Sequence, residues 1–253
     1  MIRIICISDT HGLHTKIKIE NYINPKVSNI LLHAGDCTNV GKENEIIDFV
    51  QWFQNIKGFD CKIFIAGNHD FGFENYNGVR HHNEAPWLHH ILNEENLSQS
   101  DVVYLHDSEF TYEHPDISKP LKIYGSPWQP EFYNWAFNLP RNGNELKEKW
   151  NQIPDDTDIL ITHGPPHGIR DFVVDRSGAL QVGCELLRQR VDNMNLLLHV
   201  FGHIHGAYGP MLINDTAFVN ASTCTERYHP INKPIVLDVK EIDKKLTIDL
   251  VDM

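Results

Sequence analysis

The sequence predicts an α/β protein in which two packed β-sheets are covered by helices within a single domain, residues 1–253. Three observations predict it. Short apolar, β-branched runs recur, each closing on a polar turn rich in Gly, His and Asp. Segments with apolar residues at helical spacing separate the early runs. The last third adds strands with little helical pattern between them, so the chain is not a simple alternation of strand and helix.

The first run, residues 2–7, leads into Ser8-Asp9-Thr10-His11-Gly12, and residues 30–32 lead into Ala34-Gly35-Asp36. Residues 62–65 precede Gly67-Asn68-His69-Asp70, residues 158–161 precede His163-Gly164, and residues 196–200 precede Gly202-His203-Ile204-His205. Near-continuous apolar runs of this length fit strands buried on both faces. Ile46, Val50 and Phe53 stand at i, i+4 and i+7 with Gly58 as a stop signal, which predicts a helix. Leu146, Trp150 and Ile153 repeat that spacing before Pro154, as do Leu187, Val191 and Met194. A weaker helical pattern covers about 83–99. Residues 217–220, 235–239 and 246–251 read as strands, the last two forming a hairpin across Glu241-Ile242-Asp243-Lys244-Lys245. The aromatic stretch 128–137 reads as a long loop, and loops of that length are often functional.

Composition excludes several classes. Hydrophobic residues make up 41% and charged residues 22%, unlike a disordered chain. No apolar run approaches the roughly 20 residues that span a bilayer, and the first strand is too short for a signal segment. A cytoplasmic protein without membrane contact is expected. The net charge of -12 disfavours a long nucleic-acid partner, which needs a basic face, but allows a compact cationic pocket. Five scattered cysteines with no CxxC pair predict free buried thiols.

Histidine is over-represented, with 16 residues, and position decides what that means. Five strand ends carry metal-type ligands. Asp9 and His11 are two apart, as are His203 and His205, so in extended backbone each pair leaves one face. Asp36 follows Gly35, Asn68 offers a carbonyl oxygen, and His163 closes another strand. Each has a bland reading: a lone Asp after a strand is usually a turn or helix-cap residue, and a lone His is usually at the surface or satisfied in the core. The conjunction outweighs these, because open α/β sheets gather ligands at strand ends and the bland reading needs seven coincidences. Carboxylate with imidazole suits Mn, Fe or Zn better than Ca or Mg.

In order and spacing, Asp9-Thr10-His11, Gly35-Asp36, Gly67-Asn68-His69-Asp70, Thr162-His163 and Gly202-His203-Ile204-His205 resemble the calcineurin-like metallophosphoesterase superfamily. Gly125-Ser126-Pro127-Trp128-Gln129-Pro130, Trp135-Ala136-Phe137-Asn138, His163-Gly164-Pro165-Pro166 and Asn220-Ala221-Ser222 extend the resemblance to the metallophosphoesterase-domain-containing phosphodiesterases. Asp70 stands where many superfamily members have Glu, and the closer family shares Asp. The resemblance implies a four-layer αββα sandwich of two mixed sheets with two metals at one edge. It implies that Asp9, His11 and His205 hold one ion, that Asn68, His163 and His203 hold the other, and that Asp36 bridges them.

Such a site suits phosphoester hydrolysis. Two divalent ions against Asp9, Asp36 and one hydroxide leave about +1, which draws an anionic ester, and they lower the pKa of a bound water to roughly 7. His69 adjoins a ligand but points elsewhere in extended backbone, and is expected to face substrate, stabilising the phosphorane-like charge or protonating the leaving alcohol. Asn68, His69, His167 and Asn220 are the expected substrate contacts, and the resemblance has Asn220 and Ser222 contacting phosphate or the metal shell. Asp70 is expected to orient a ligand or to cap a turn. Trp128, Phe132, Tyr133 and Trp135 pack the loop or stack on a base. His33 and His199 are expected in the core or just behind the ligands, whereas His81, His82, His89 and His90 are expected in solvent. The expected activity is that of a dinuclear phosphodiesterase on small cyclic nucleotides, with Mn2+ the leading metal and Fe, Zn or Ni as alternatives. A broad phosphomonoesterase and a non-catalytic interaction scaffold are the rivals.

Overall fold

The computed structural model describes residues 1–76, 88, 91–93, 97–175 and 178–251. Strands β1 (Ile2–Ile7), β2 (Ser28–Ala34), β3 (Cys61–Ile65) and β4 (Val102–Tyr104) pair in parallel, side by side. The antiparallel hairpin β15 (Ile235–Ile242) and β16 (Lys245–Leu250) extends this sheet beyond β1, giving six strands. In the second six-stranded sheet, β6 (Leu121–Ser126), β9 (Ile159–Thr162), β12 (Leu198–Phe201) and β14 (Thr216–Asn220) run parallel. Its edges are antiparallel: β5 (Ser108–Tyr112) beside β6, and β13 (Gly209–Ile213) beside β14. The expected strands are all present, with ends shifted by up to three residues.

The layering follows from strand alternation. Ile4, Ile30 and Ile63 point inward and meet Ile123, Ile161, Val200 and Val219 of the facing sheet, all essentially inaccessible. Their neighbours Ile5, Leu31 and Phe64 point outward onto α1 (Glu43–Asn55), where Phe49 and Phe53 bury completely. Phe49 meets Phe64 edge-on at 5.4 Å, and removing either ring costs about 3–5 kcal/mol. α1 starts with Glu45 accepting from the Lys42 backbone N–H at 3.0 Å, and its acidic first turn complements the helix dipole. Across the sandwich, α3 (Asn144–Asn151) and α4 (Glu185–Val191) bring Trp150 and Leu187 into the cluster that holds Leu160 and Phe201. Short α2 (Phe71–Tyr76) follows the turn after β3. This is the four-layer αββα sandwich, with a helix layer on each outer face.

Two small ladders refine the expected loops. The stretch 128–137 is pinned at its ends by β7 (Gln129–Pro130) and β8 (Asn138–Leu139). A hairpin of β10 (Phe172–Asp175) and β11 (Gly178–Gln181), unmarked in the sequence reading, projects from the second sheet's carboxyl edge. The five cysteines are free and buried. The expected helix at about 83–99 falls largely outside the described residues, as do His81, His82, His89 and His90. No helix among the described residues is long and apolar enough to cross a membrane.

Candidate metal centre

Because the central strands of both sheets run parallel, the carboxyl ends of β1, β2, β3, β9 and β12 reach one edge of the sandwich. A bridge between Ser8 and Ser222 joins the two sheets there. Asp9, His11, Asp36, Asn68, His163 and His203 leave these ends, and His205 opens a short 3-10 turn just beyond.

The local backbone corrects one expectation. Asp9, His11, Asp36 and His203 are not extended but left-handed, with φ of 50°, 44°, 54° and 67°. The paired spacing therefore does not place side chains on one face by strand alternation; the kinks aim them inward. Backbone hydrogen bonds hold these kinks: Asp9 N–H donates to Gly35 O at 2.9 Å and His11 N–H to Asp36 O at 3.0 Å. Close approach demands glycine at two places. A Cβ on Gly202 would stand 2.0 Å from Asp9 Oδ2, and one on Gly35, itself at φ +92°, 2.6 Å from Ala66 O.

The potential ligand atoms form three overlapping groups, each within 4.8 Å: Asp9, His11 and His205; His11, Asp36 and His69; and Asp36, His163 and His203. His205 Nε2 lies 3.1 Å from Asp9 Oδ1 and 3.2 Å from His11 Nε2. His163 Nε2 lies 2.9 Å from Asn68 Oδ1 and 3.4 Å from Asp36 Oδ1, and Asp36 Oδ2 lies 3.8 Å from His11 Nε2. All seven expected metal residues thus converge.

The donor set fits a divalent cation. His69, His163 and His205 each commit Nδ1 to a carbonyl, of Asn39 at 2.7 Å, Ala34 at 2.9 Å and Thr225 at 3.0 Å. With Nδ1 donating, Nε2 either shares a proton with the facing acid or offers its lone pair to a metal ion. Burial opposes charge on Asp9, but the hydrogen bond and charge of His205 outweigh it and hold the carboxyl well below its usual range. Asp36 is likewise held low against burial by His163 and His11. Burial would lower His163, yet the neighbouring Asp36 raises it to about 9. Burial keeps His11 down to about 4 and His203 to about 3, so both are neutral, the form that ligates. Two anionic carboxylates facing imidazoles are what a cation stabilises when it replaces the shared protons.

A second ring of bonds steadies these groups. Ser222 Oγ donates to Asp9 Oδ2 at 2.9 Å, and His203 N–H donates to Asp9 Oδ1 at 3.0 Å. The Asp70 carboxylate is fully buried and accepts from Cys37 N–H, Gly67 N–H, Thr38 N–H and Thr38 Oγ–H. It ties the turn bearing Asp36 to the turn bearing Asn68. Burial and the nearby Asp36 charge raise it to about 6. His33 and His199, expected in the core, are completely buried and bond Thr10 and Thr162 at 3.0 and 2.9 Å.

A cavity of about 610 Å³ opens over the centre, with Asp36, Asn68, His69, His203 and His205 at its base. Its sides carry Phe132, Tyr133 and Trp135 of the aromatic loop, and Tyr228. Trp128 instead packs in the core and donates Nε1–H to Asp107. Two expected substrate contacts are placed elsewhere. Asn220 is fully buried; its amide donates to Ile204 O and its oxygen accepts from Ser222, so it supports the loop beneath the ligands. His167 does not line the cavity, although its backbone N–H donates to Cys184 O at 3.0 Å and Cys184 does line it. Nothing in the sequence singles out Tyr228, whose ring meets His11 edge-on at 4.8 Å from a loop with no motif of its own.

Comparison with known proteins identifies the family. Residues 2–207 match the calcineurin-like phosphoesterase family. Over 246 residues the chain is 41% identical to human metallophosphoesterase domain-containing protein 1, covering 94% of this chain and 71% of the relative. The solved structure of TT1561 from Thermus thermophilus superposes with a TM-score of 0.56 at 13% identity, covering 98% of both chains. That of phosphopantetheinyl hydrolase from Mycobacterium tuberculosis gives 0.53 at 16% identity, covering 92% of this chain and 95% of the other. At such identities these two structures speak for the fold. On the family match and the 41% relative, the chain belongs to the calcineurin-like phosphoesterases.

Proposed function

We propose that the protein is a dinuclear metal-dependent phosphodiesterase acting on small cyclic nucleotides of the 2',3'- or 3',5'-cyclic AMP type, with Mn2+ as the leading metal. The observation that carries this reading is the position of Asp36, whose two oxygens face separate imidazole groups, His163 at 3.4 Å and His11 at 3.8 Å. One carboxylate shared between two ligand sets is the arrangement a metal pair needs. Bound divalent ions supply Lewis acidity and an acidified water at this point.

The chain's residues do the rest. Asp9, His11 and His205 hold one side, and Asn68, His163 and His203 hold the other. Asp36 positions both sets, and a further contact to its carboxylate, from His69 N–H at 2.8 Å, fixes the turn that carries His69. His69 lines the cavity with Nδ1 held by Asn39 O, so its Nε2 is the atom available to pass a proton to the leaving alcohol. Asn68 and His69 are the substrate contacts that the cavity supports.

A turnover panel tests this: cyclic nucleotides, linear diesters and monoesters, each with Mn, Fe, Zn or Ni. Metal-dependent hydrolysis of cyclic nucleotides, abolished by chelation, is the expected result. Faster turnover of monoesters would favour a phosphomonoesterase. Inert protein at full metal content would leave a binding scaffold.

A further inference from the structure

We propose that the cavity selects phosphodiesters whose only formal charge is the one at the scissile phosphate, carrying an uncharged aromatic or apolar body. This rests on the phosphodiesterase reading and narrows it.

The cavity continues well past the ligand residues. On that side Phe132 and Tyr133 remain 54% and 77% exposed, and their rings meet edge-on at 4.5 Å. The Phe132 ring is also edge-on to the imidazole of His203 at 6.3 Å. An ester held at His203 therefore has an aromatic surface one ring away. Val173 and Val182 line the cavity as well. Exposed aromatic rings beside a polar centre bind a flat, uncharged group by burying its faces.

Charge sets the limit. Among the described residues, Arg141 is the one Lys or Arg that lines the cavity. Its guanidinium is already engaged: Nη1 donates to Gly183 O at 2.8 Å and Glu185 Oε2 at 2.7 Å, and Nη2 to Val182 O at 2.6 Å. Glu131 and Glu226 also line the cavity, and neither forms an ion pair among the described residues. Glu226 lies against the chain beside His205, where a Cβ on Gly206 would come within 2.6 Å of Glu226 Oε1. A second phosphate on the substrate body would meet two carboxylates there and, among the described residues, no free Lys or Arg side chain. At low salt that repulsion amounts to roughly tenfold in binding, and it weakens as salt screens it.

The test compares 2',3'-cyclic AMP with the same cyclic ester carrying an added 5'-phosphate, on manganese-loaded protein. The scissile bond and base are identical. The added phosphate is expected to lower kcat/KM about tenfold at about 50 mM salt, chiefly through KM, and by under about threefold at about 0.5 M. Glu131→Gln with Glu226→Gln should shrink the penalty in the same way, and Phe132→Ala with Tyr133→Ala should raise KM several-fold for both esters. Equal or better turnover of the phosphorylated ester, or a penalty unmoved by the paired Gln substitutions, overturns the inference and leaves the phosphodiesterase reading standing. No turnover of the parent ester at full metal content overturns that reading and this inference with it.

Discussion

The imidazole of His69 lies face to face with the indole of Trp135, ring centroids 4.1 Å apart and planes 25° from parallel. The Asn39 carbonyl holds the same imidazole at Nδ1. The loop bearing Trp135 is fastened to the ligand turn by Ala136 N–H donating to Asn68 O at 3.0 Å. One ring thus has its plane set by Trp135 and its rotation by Asn39. If His69 delivers a proton to the leaving group, Trp135→Ala should lower kcat about tenfold for diesters with poor alkyl leaving groups. Diesters releasing nitrophenolate, which need little protonation, should lose far less. Trp135→Phe should restore most of the loss, and metal content should stay constant. A uniform loss on both ester types would make the stack merely structural.

Asp36→Ala should cost more turnover than any change away from the ligands, on the order of a thousandfold, because both ligand sets share its carboxylate. His167→Ala and Trp128→Phe should stay within about tenfold of the parent. Elemental analysis alongside the rates separates lost metal from lost chemistry. Near-parental turnover in Asp36→Ala would contradict the bridging assignment.

Asp70→Ala removes the acceptor for three buried backbone donors, those of Cys37, Thr38 and Gly67. Leaving such groups unpaired costs about 1–3 kcal/mol each before relaxation, so a loss of about 3 kcal/mol in urea unfolding is expected. A change below about 1 kcal/mol would mean that the two turns hold without it.

His33 and His199 link stability to pH. Burial lowers both to about 3 in the folded chain, against 6.5 when exposed. Their contribution is therefore complete above about pH 6.5. As pH falls below that value the unfolded chain takes up protons that the folded chain refuses, and stability drops until pH nears 3. Between these limits each histidine contributes a slope of about 1.4 kcal/mol per pH unit. Urea midpoints measured from pH 7 to 5 on metal-free protein should show the fall, and His199→Asn should make it shallower by one proton. An unchanged slope in that variant would refute the assignment.

Much of the site was legible because β1, β2, β3, β9 and β12 are largely buried on both faces and read as near-continuous apolar runs ending in polar turns. Edge elements were harder. β11 is exposed along its length and β13 carries exposed Leu212, so neither shows the pattern that burial imposes. The ligands were found by their place at strand ends, but extended spacing does not account for their direction, because the backbone at Asp9 and His11 turns left-handed. Asn220 looked like a substrate contact because a polar Asn-Ala-Ser segment does not reveal that its amide is spent on backbone. The pairings of His69 with Trp135 and of His11 with Tyr228 join distant loops, and nothing local in the sequence encodes such meetings.

The inverted main-chain twist beneath Asp9, His11, Asp36 and His203 sets reactivity against robustness. A residue with a Cβ gives up roughly 1 kcal/mol or more in that conformation, and glycine gives up almost none. Exchanging His203 for glycine should therefore yield a chain that tolerates heat better than the alanine exchange does, while both are equally unreactive. The chemistry is held in place by a backbone whose main-chain hydrogen bonds keep it left-handed whichever side chain it carries.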